Sequence, residues 1–396
     1  MVVFDTWTHW SAFGQVVILG LIQLGGLGLV TFTSGFTLFL RRRLDLRDMQ
    51  IAKEYTNGST LDLPRLLRTI MFFTFVCEAF GSFLLMLRFV PMFGGKGIWI
   101  SVFLSVSAYC NAGFDILGFL KPDASLELFV GDPLVCLTIC CLIILGGIGF
   151  IVTVDLYNWG RKRVRKEERR PHLTLHTRIV LVSTASLLVL GTVLTLGLEY
   201  DHTLKDLNFW EKLNASFFQS VTARTAGYAT IPQGELGDAT KLVTIILMFI
   251  GASPSSTGGG IKTTTFVVLV ATVVSISRGR DETVINKRRV DKSVVYRAMT
   301  IVAMAFLVIA ITSGVIMVTT PPEVSAIDAV YEAVSAFGTV GLTTGLTPDL
   351  SIVAKILVML TMFIGRVGPI SLVLALTMKH SGGPGKILPE GKVIVG

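Results

Sequence analysis

Charge is scarce in this chain. Only 16% of its 396 residues are Asp, Glu, Lys or Arg, against about 25% in an ordinary soluble domain. With 52% hydrophobic residues and a mean hydropathy of +0.69, the composition points to a membrane protein. Histidine occurs five times. The sequence holds no histidine cluster, nucleophile triad or carboxylate pair, so covalent catalysis is set aside and the chain is read as a non-enzyme. Cysteine is equally sparse. Cys77, Cys136, Cys140 and Cys141 lie inside apolar runs, and Cys110 lies at a glycine-bearing loop. With no histidine beside them, they read as small packing residues, not as metal ligands. No secretory signal peptide is visible.

What the chain has in quantity is long apolar runs. Windows with almost no charge recur at 16–40, 69–87, 134–154, 179–198, 242–274, 299–320 and 356–378. Each reaches the roughly 20 residues needed to cross a bilayer, which predicts seven spans, the fifth interrupted by glycines. The net charge of +8 is concentrated in three loops. Arg41, Arg42, Arg43, Arg47 and Lys53 form the first. Arg161, Lys162, Arg163, Arg165, Lys166, Arg169 and Arg170 form the second. Arg278, Arg280, Lys287, Arg288, Arg289 and Lys292 form the third. Basic loops of this kind are cytoplasmic, which predicts a multi-pass protein of the cell membrane. Every run abuts a hydrophobic span, which argues against a nucleic-acid surface.

Three short stretches share a small-residue signature: S-A-Y-C-N-A-G-F (107–114), S-V-T-A-R-T-A-G-Y (220–228) and S-A-F-G-T-V-G-L-T (335–343). Each follows a segment too short to cross, near 98–109, 209–221 and 326–337, and each precedes an apolar span. Non-helical backbone at membrane depth survives only where it lines a cavity or is buried in protein. Glycine supplies the angles that turn carbonyls toward such a cavity. Three loops in register predict an ion filter built from repeats.

The second spans carry a mark of their own: L-G-G-L-G (24–28), L-G-G-I-G (145–149), I-G-A-S-P (250–254) and I-G-R-V-G-P (364–369). Four marks mean four repeats. They divide the chain into the second half of a first repeat (1–40), three further repeats (41–160, 161–278, 279–379) and a tail (380–396). The fold class is all-α integral membrane, with pseudo-fourfold repeats of span, re-entrant helix with filter loop, and span. Gly227 to Gly251 is 24 residues, as is Gly341 to Gly365. Gly113 to Gly146 is 33, which predicts an inserted outer loop near 115–133. Counting 24 back from Gly25 reaches position 1. The first repeat is therefore expected to lack its first span, short helix and loop. An eight-span topology with both termini cytoplasmic expects the native protein to extend upstream by that much.

At these residues the chain resembles the membrane subunit of the Ktr potassium uptake system, in the superfamily with Trk and plant HKT transporters. The most specific pieces are S-A-F-G-T-V-G-L-T-T-G-L-T-P (335–348), G-A-S-P-S-S-T-G-G-G-I-K-T-T-T-F (251–266) and M-F-I-G-R-V-G-P (362–369). The resemblance implies a potassium-channel-like fold and no resident cofactor, with K+ (or Na+) as cargo. It also implies a homodimer in the lipid bilayer, a cytoplasmic ring of nucleotide-binding regulatory subunits beneath it, and a dimer contact from the tail at 386–396. It gives no nucleic-acid partner.

Potassium would be held by backbone carbonyls of Cys110, Asn111, Ala112 and Gly113; of Arg224, Thr225, Ala226 and Gly227; and of Gly338, Thr339, Val340 and Gly341. In the family, a filter glycine in each repeat goes with potassium preference, and a serine in the first repeat with sodium permeation in some plant relatives. Arg224 is expected behind the filter, paired with an acid such as Glu332. Glu78 is a second candidate for buried pairing.

The segment 251–262 has low helix propensity. It is not a phosphate-binding loop, because Ile261 separates Gly260 from Lys262. The resemblance makes it an intramembrane gate, with Gly251, Ser253, Ser255, Ser256, Thr257, Gly258, Gly259 and Gly260 as its working residues and Arg366 opposite. Arg366 reads as mid-span, where an arginine costs about 2.5–3.5 kcal/mol on insertion scales. A fixed positive charge there raises the barrier to cations. Alternative readings are a sodium-permeant or sodium-coupled member of the superfamily, a secondary transporter of an organic solute, and a non-conducting membrane scaffold. The organic-solute reading expects inverted repeats with an acidic or aromatic midplane site, whereas these repeats run parallel.

Overall fold

A computed structural model of the chain describes residues 1, 3–28, 63–122, 124–165, 172–280, 282–320 and 324–368. Three of the helices in these residues are long and apolar enough to cross a membrane. They are α3 (Leu63–Phe93), α7 (Leu175–Glu199) and α11 (Lys292–Thr319); α1 (Thr6–His9) and α2 (Ala12–Leu27) precede them. Their outer faces are apolar and exposed, as with Phe72, Phe80 and Phe83 on α3 and Val182, Val189 and Val193 on α7. In a bilayer these faces meet lipid.

Each long helix leads into a short one: α4 (Gly95–Tyr109), α8 (Phe209–Thr222) or α12 (Ala326–Gly338), the predicted re-entrant segments within three residues at each end. At 13–15 residues they reach about 20 Å, short of the roughly 30 Å hydrocarbon core. A capping box starts α8, with the Asn208 backbone N–H donating to Glu211 Oε2 at 2.9 Å. Buried side chains on α4, including Phe103, Leu104 and Tyr109, pack into a core cluster with Leu85 and Phe89 of α3 and Val135 and Ile139 of the helix that follows the outer loop. The inserted outer loop runs from 115 to 132, with one 3-10 turn at Glu127–Phe129.

The second helices correct the sequence reading. The window 134–154 is not one straight crossing. It is α5 (Pro133–Gly147) and α6 (Phe150–Val164), which meet at 97°. The break turns on Gly149, whose φ of 93° is one that other residues adopt only under strain. Gly28 (φ 78°) ends α2, and Gly368 (φ 90°) ends α13 (Ile352–Val367) in the same way. In the third repeat the equivalent residue is Pro254. There the chain leaves α9 (Asp238–Phe249) and resumes as α10 (Thr263–Ser277). All four second helices thus stop after 12–16 residues, about 18–24 Å into the membrane. Hydropathy read straight through because the residues beyond each break are also apolar.

The third basic loop holds the one two-stranded sheet among the described residues. This is a hairpin of β1 (Val284–Ile285) and β2 (Arg288–Arg289). Its turn residues Asn286 and Lys287 both have positive φ, the requirement of a tight two-residue hairpin. The first basic loop, the residues Lys166, Arg169 and Arg170 of the second, the ends of the windows 16–40 and 356–378, and the tail at 380–396 lie outside the described residues.

Gly365 marks where α13 crosses α12. A methyl group there would overlap the Phe337 carbonyl oxygen, whereas one on Gly20 would meet nothing within 4 Å. Gly365→Ala should destabilise the protein by about 1–3 kcal/mol, read as a lower thermal midpoint in detergent. Gly20→Ala should leave that midpoint unchanged or raise it, since alanine is the better helix former by about 1 kcal/mol.

Candidate functional site

The three filter loops are copies of one backbone shape. Each begins at the C-terminus of a short helix. The residue two before the glycine is left-handed: Asn111 (φ 52°), Thr225 (φ 73°) and Thr339 (φ 51°). The glycines are left-handed too: Gly113 (φ 71°), Gly227 (φ 88°) and Gly341 (φ 94°). The residue between them, Ala112, Ala226 or Val340, is not. Alternating hand swings successive peptide groups to one side, which is how backbone dipoles are gathered around an ion.

Hydroxyls fix the shape from behind. Ser107 Oγ donates to the Phe114 carbonyl at 2.7 Å, Ser335 Oγ to Leu342 at 2.7 Å, and Thr222 Oγ1 to Tyr228 at 2.6 Å. The helix C-termini that end at the loops add partial negative charge of up to about half an electron each.

The loops lie side by side in chain order. A methyl on Gly113 would overlap the Ala226 carbonyl oxygen, and one on Gly227 would overlap that of Val340. The Asn111 amide and the Thr225 hydroxyl are 3.1 Å apart, joining the second and third loops. The Met1 amine donates to the Gly341 carbonyl. Position 1, where the 24-residue spacing puts the first filter glycine, therefore stands against the fourth loop. Not every side chain of the twelve filter candidates faces the ring. Cys110 is buried, with Sγ 3.8 Å from both Gln23 Oε1 and Glu78 Oε1, and so faces α2 and α3.

The segment 250–262 lies directly against these loops. A methyl on Gly258 would overlap Thr225 Oγ1, and one on Gly259 would overlap Thr339 Oγ1. A methyl on Gly260 would come 3.2 Å from the Gly338 Cα. The triple glycine is what permits that approach. Thr257 Oγ1 donates to the Tyr109 carbonyl at the end of α4, at 3.1 Å. The segment also fills the break between α5 and α6. Ser253 N–H donates to Gly147 O at 3.0 Å, Thr257 N–H to Gly146 O at 3.2 Å, and Phe150 N–H to Ser255 O at 2.7 Å. Ser253 and Thr263 hydroxyls, 3.1 Å apart, close the loop at its base, and Ser256 Oγ accepts from Gly258 N–H.

Three cationic side chains also donate to carbonyls of the segment. Lys262 Nζ donates to Gly258 O at 2.7 Å. The Arg366 guanidinium donates to Thr257 O and to Gly25 O, tying the segment to α2. Arg224 Nη2 lies 3.5 Å from Gly251 O, at the outer limit of a hydrogen bond.

Two expectations need correction. Arg224 is buried but does not pair with Glu332, and its Nε has no partner. Glu332 instead accepts from the Thr343 hydroxyl, from Thr344 N–H at 3.2 Å and from Thr347 Oγ1 at 3.1 Å, so it shapes the chain leaving the fourth loop. Arg366 is not mid-helix. It sits one residue before the end of α13, where a cation also complements the helix dipole. Glu78 forms no ion pair among the described residues, and its carboxylate accepts from Gln23 Nε2 at 3.3 Å. Sequence reasoning missed Lys262, which it used only to reject a phosphate loop, and the anchoring hydroxyls Ser107, Thr222 and Ser335. The hydroxyls recur six or seven residues before the carbonyl they hold, a spacing that could have exposed them.

Residues 1–383 match the TrkH family, described as cation transport proteins. Over 400 residues the chain is 36% identical to the Ktr system potassium uptake protein B of Bacillus subtilis, covering 100% of this chain and 86% of that one. It is also 36% identical to the potassium/sodium uptake protein NtpJ of Enterococcus hirae, covering 99% and 85%. It is 25% identical over 256 residues to the sodium transporter HKT1 of Arabidopsis thaliana, covering 62% and 49%. Among solved structures, that of the potassium transporter TrkH from Vibrio parahaemolyticus superposes with a TM-score of 0.70 at 15% identity, covering 96% of this chain and 75% of that one. The likeness to that structure extends to the fold.

Gly227→Ala places a methyl against the Val340 carbonyl at a φ that is strained for alanine. It should reduce cation uptake by at least tenfold, equivalent to about 1.4 kcal/mol, while the protein still elutes as a folded species. Gly345 shares the angle (φ 98°) with nothing within 4 Å. Gly345→Ala should change uptake less than threefold.

Proposed function

The chain belongs to the TrkH family of cation transport proteins, and on that premise we propose that it takes up potassium across the cell membrane by channel-like permeation. The observation that carries this reading is the row of three alternately handed loops, whose neighbouring carbonyls and glycines touch. Dehydrated potassium needs oxygen ligands that cost no rearrangement, and turned backbone carbonyls provide them. The carbonyls of Cys110 to Gly113, Arg224 to Gly227 and Gly338 to Gly341 are the proposed ligands.

The segment 251–262 is the proposed gate. It lies against Thr225 and Thr339, where an ion leaving the filter would pass. Lys262 and Arg366 hold it by donating to its carbonyls. Their charges also repel a cation, the more strongly because the surroundings are poorly polarisable. The same groups therefore keep the gate closed sterically and electrostatically. A homodimer and a cytoplasmic nucleotide-binding regulatory ring belong to the same reading, supported by the likeness to a Ktr system protein. A sodium-permeant cycle is the second reading, favoured by the likeness to a potassium/sodium uptake protein and to a plant sodium transporter.

In proteoliposomes with an inside-negative potential, rubidium should accumulate while labelled sugars and amino acids do not. Sodium competition at equimolar concentration separates the two cation readings. Organic solute uptake without rubidium uptake would overturn both. Arg366→Ala frees two carbonyls and removes the charge, and should raise rubidium flux severalfold at equal protein in the membrane. Lys262→Met should do the same to a smaller extent, because it frees one carbonyl. Unchanged flux in both variants would remove the barrier role.

A further inference from the structure

Helix α10 descends from the gate segment to the cytoplasmic face, and a cavity lies along each of its sides. The first, about 370 Å³, lies between α7 and α10. Leu187, Phe266, Val270 and Val274 form its apolar wall, while Arg278 and Arg280 stand at its cytoplasmic end. The second, also about 370 Å³, lies between α10 and α11 and is lined by apolar residues only. The first cavity is apolar at the depth of the acyl chains and doubly cationic at the depth of the headgroups. Arg278 and Arg280 are exposed and form no ion pair among the described residues, the nearby Glu282 being taken by Arg289 at 2.9 Å. Ser183 and Ser186 add hydroxyls on the α7 side.

We infer that the cavity between α7 and α10 is a site for one anionic phospholipid of the cytoplasmic leaflet. An acyl chain lies against α10, and the phosphate is held by Arg278 and Arg280. Charge complementarity selects the occupant. Basic pockets between membrane helices on this side take anionic headgroups, and the cavity opens on the exposed faces of α7 and α10, where lipid is the solvent. The neighbouring cavity, of equal size on the same helix, lacks the arginines and is an internal contrast. Because α10 begins at Thr263, one residue after the gate lysine, a lipid wedged along it bears on the segment under the filter.

The test is lipid retention by the purified full chain, read by native mass spectrometry with phosphatidylglycerol against phosphatidylcholine. The wild type should keep one phosphatidylglycerol with at least fivefold preference. Arg278→Gln with Arg280→Gln should bring the preference within twofold of unity. Lys287→Gln with Arg288→Gln, an equal charge loss on the hairpin, should leave it intact. Ser186→Phe fills the cavity while sparing the arginines and should also release the lipid, so it decides the matter if the double arginine variant does not fold. Glycerol 3-phosphate, a headgroup without chains, should not displace the lipid. The site is overturned by an absent preference in the wild type, by equal loss in the hairpin variant, by retention in Ser186→Phe, or by displacement with glycerol 3-phosphate. A lipid-free dimer that dissociates when the arginines are removed would assign the cavity to a second copy and overturn it as well.

Discussion

The structure turns on how an irregular stretch of backbone is satisfied at membrane depth. Residues 250–262 carry amide and carbonyl groups that a helix would have paired internally and that lipid cannot pair at all. Some of their partners lie in the loop itself, as with Ala252 N–H to Gly259 O and Thr263 N–H to Ala252 O, and the others come from three sources. The frayed ends of α5 and α6 exchange bonds with Ser253, Ser255 and Thr257. The hydroxyls of Thr257, Ser253 and Thr263 bridge to α4 and across the loop. Lys262, Arg366 and, more distantly, Arg224 donate to further carbonyls of the segment. A buried amide left unpaired costs on the order of 1–3 kcal/mol. The break at Gly149 and the loop after Ile250 therefore support one another, since each holds what the other leaves open.

Close approach follows from the same requirement. A loop can lie against the filter only where side chains are absent, and Gly258, Gly259 and Gly260 face Thr225, Thr339 and Gly338. Those threonines are the left-handed residues of the third and fourth filter loops. The segment thus rests on the left-handed residues of the third and fourth glycine loops. Displacing the segment would alter the packing behind Thr225 and Thr339; on the proposed reading of the segment as a gate, conduction and filter shape would then be mechanically joined.

Much of this was legible in the sequence, and the parts that were not have physical reasons. The three loops, the short helices and the interrupted span could be read because glycine, small-residue and charge patterns are local. The apolar windows fall within four to seven residues of the starts of the long helices. The breaks at Gly28, Gly149 and Gly368 were not seen, because hydropathy measures side chains, and the residues on both sides of each break are apolar. Arg366 was noticed for its cost in lipid and was assigned to mid-span for the same reason. Its partners, Thr257 and Gly25, lie 109 and 341 residues away, a separation that no periodicity reveals. The pairing of Arg224 with Glu332 failed because charge alone was used to choose the partner. Glu332 finds three donors within 15 residues along the chain, and these satisfy it without a cation.

The cationic donors make the loop more than a plug. Neutral donors such as serine or asparagine could have satisfied Thr257 O and Gly258 O at lower desolvation cost. Lysine and arginine do so while placing positive charge beside the proposed route of a cation. If the loop is the proposed gate, moving it aside would withdraw both obstacles together, because Lys262 sits at its end and Arg366 is bound to its middle. Such a movement breaks the bonds to Gly146 and Gly147 and pulls on Thr263, the first residue of α10. Helix α10 leads from this loop to the basic hairpin, so on the proposed gate reading a force applied at Arg278 to Lys292 would reach the gate through one rigid element of 15 residues.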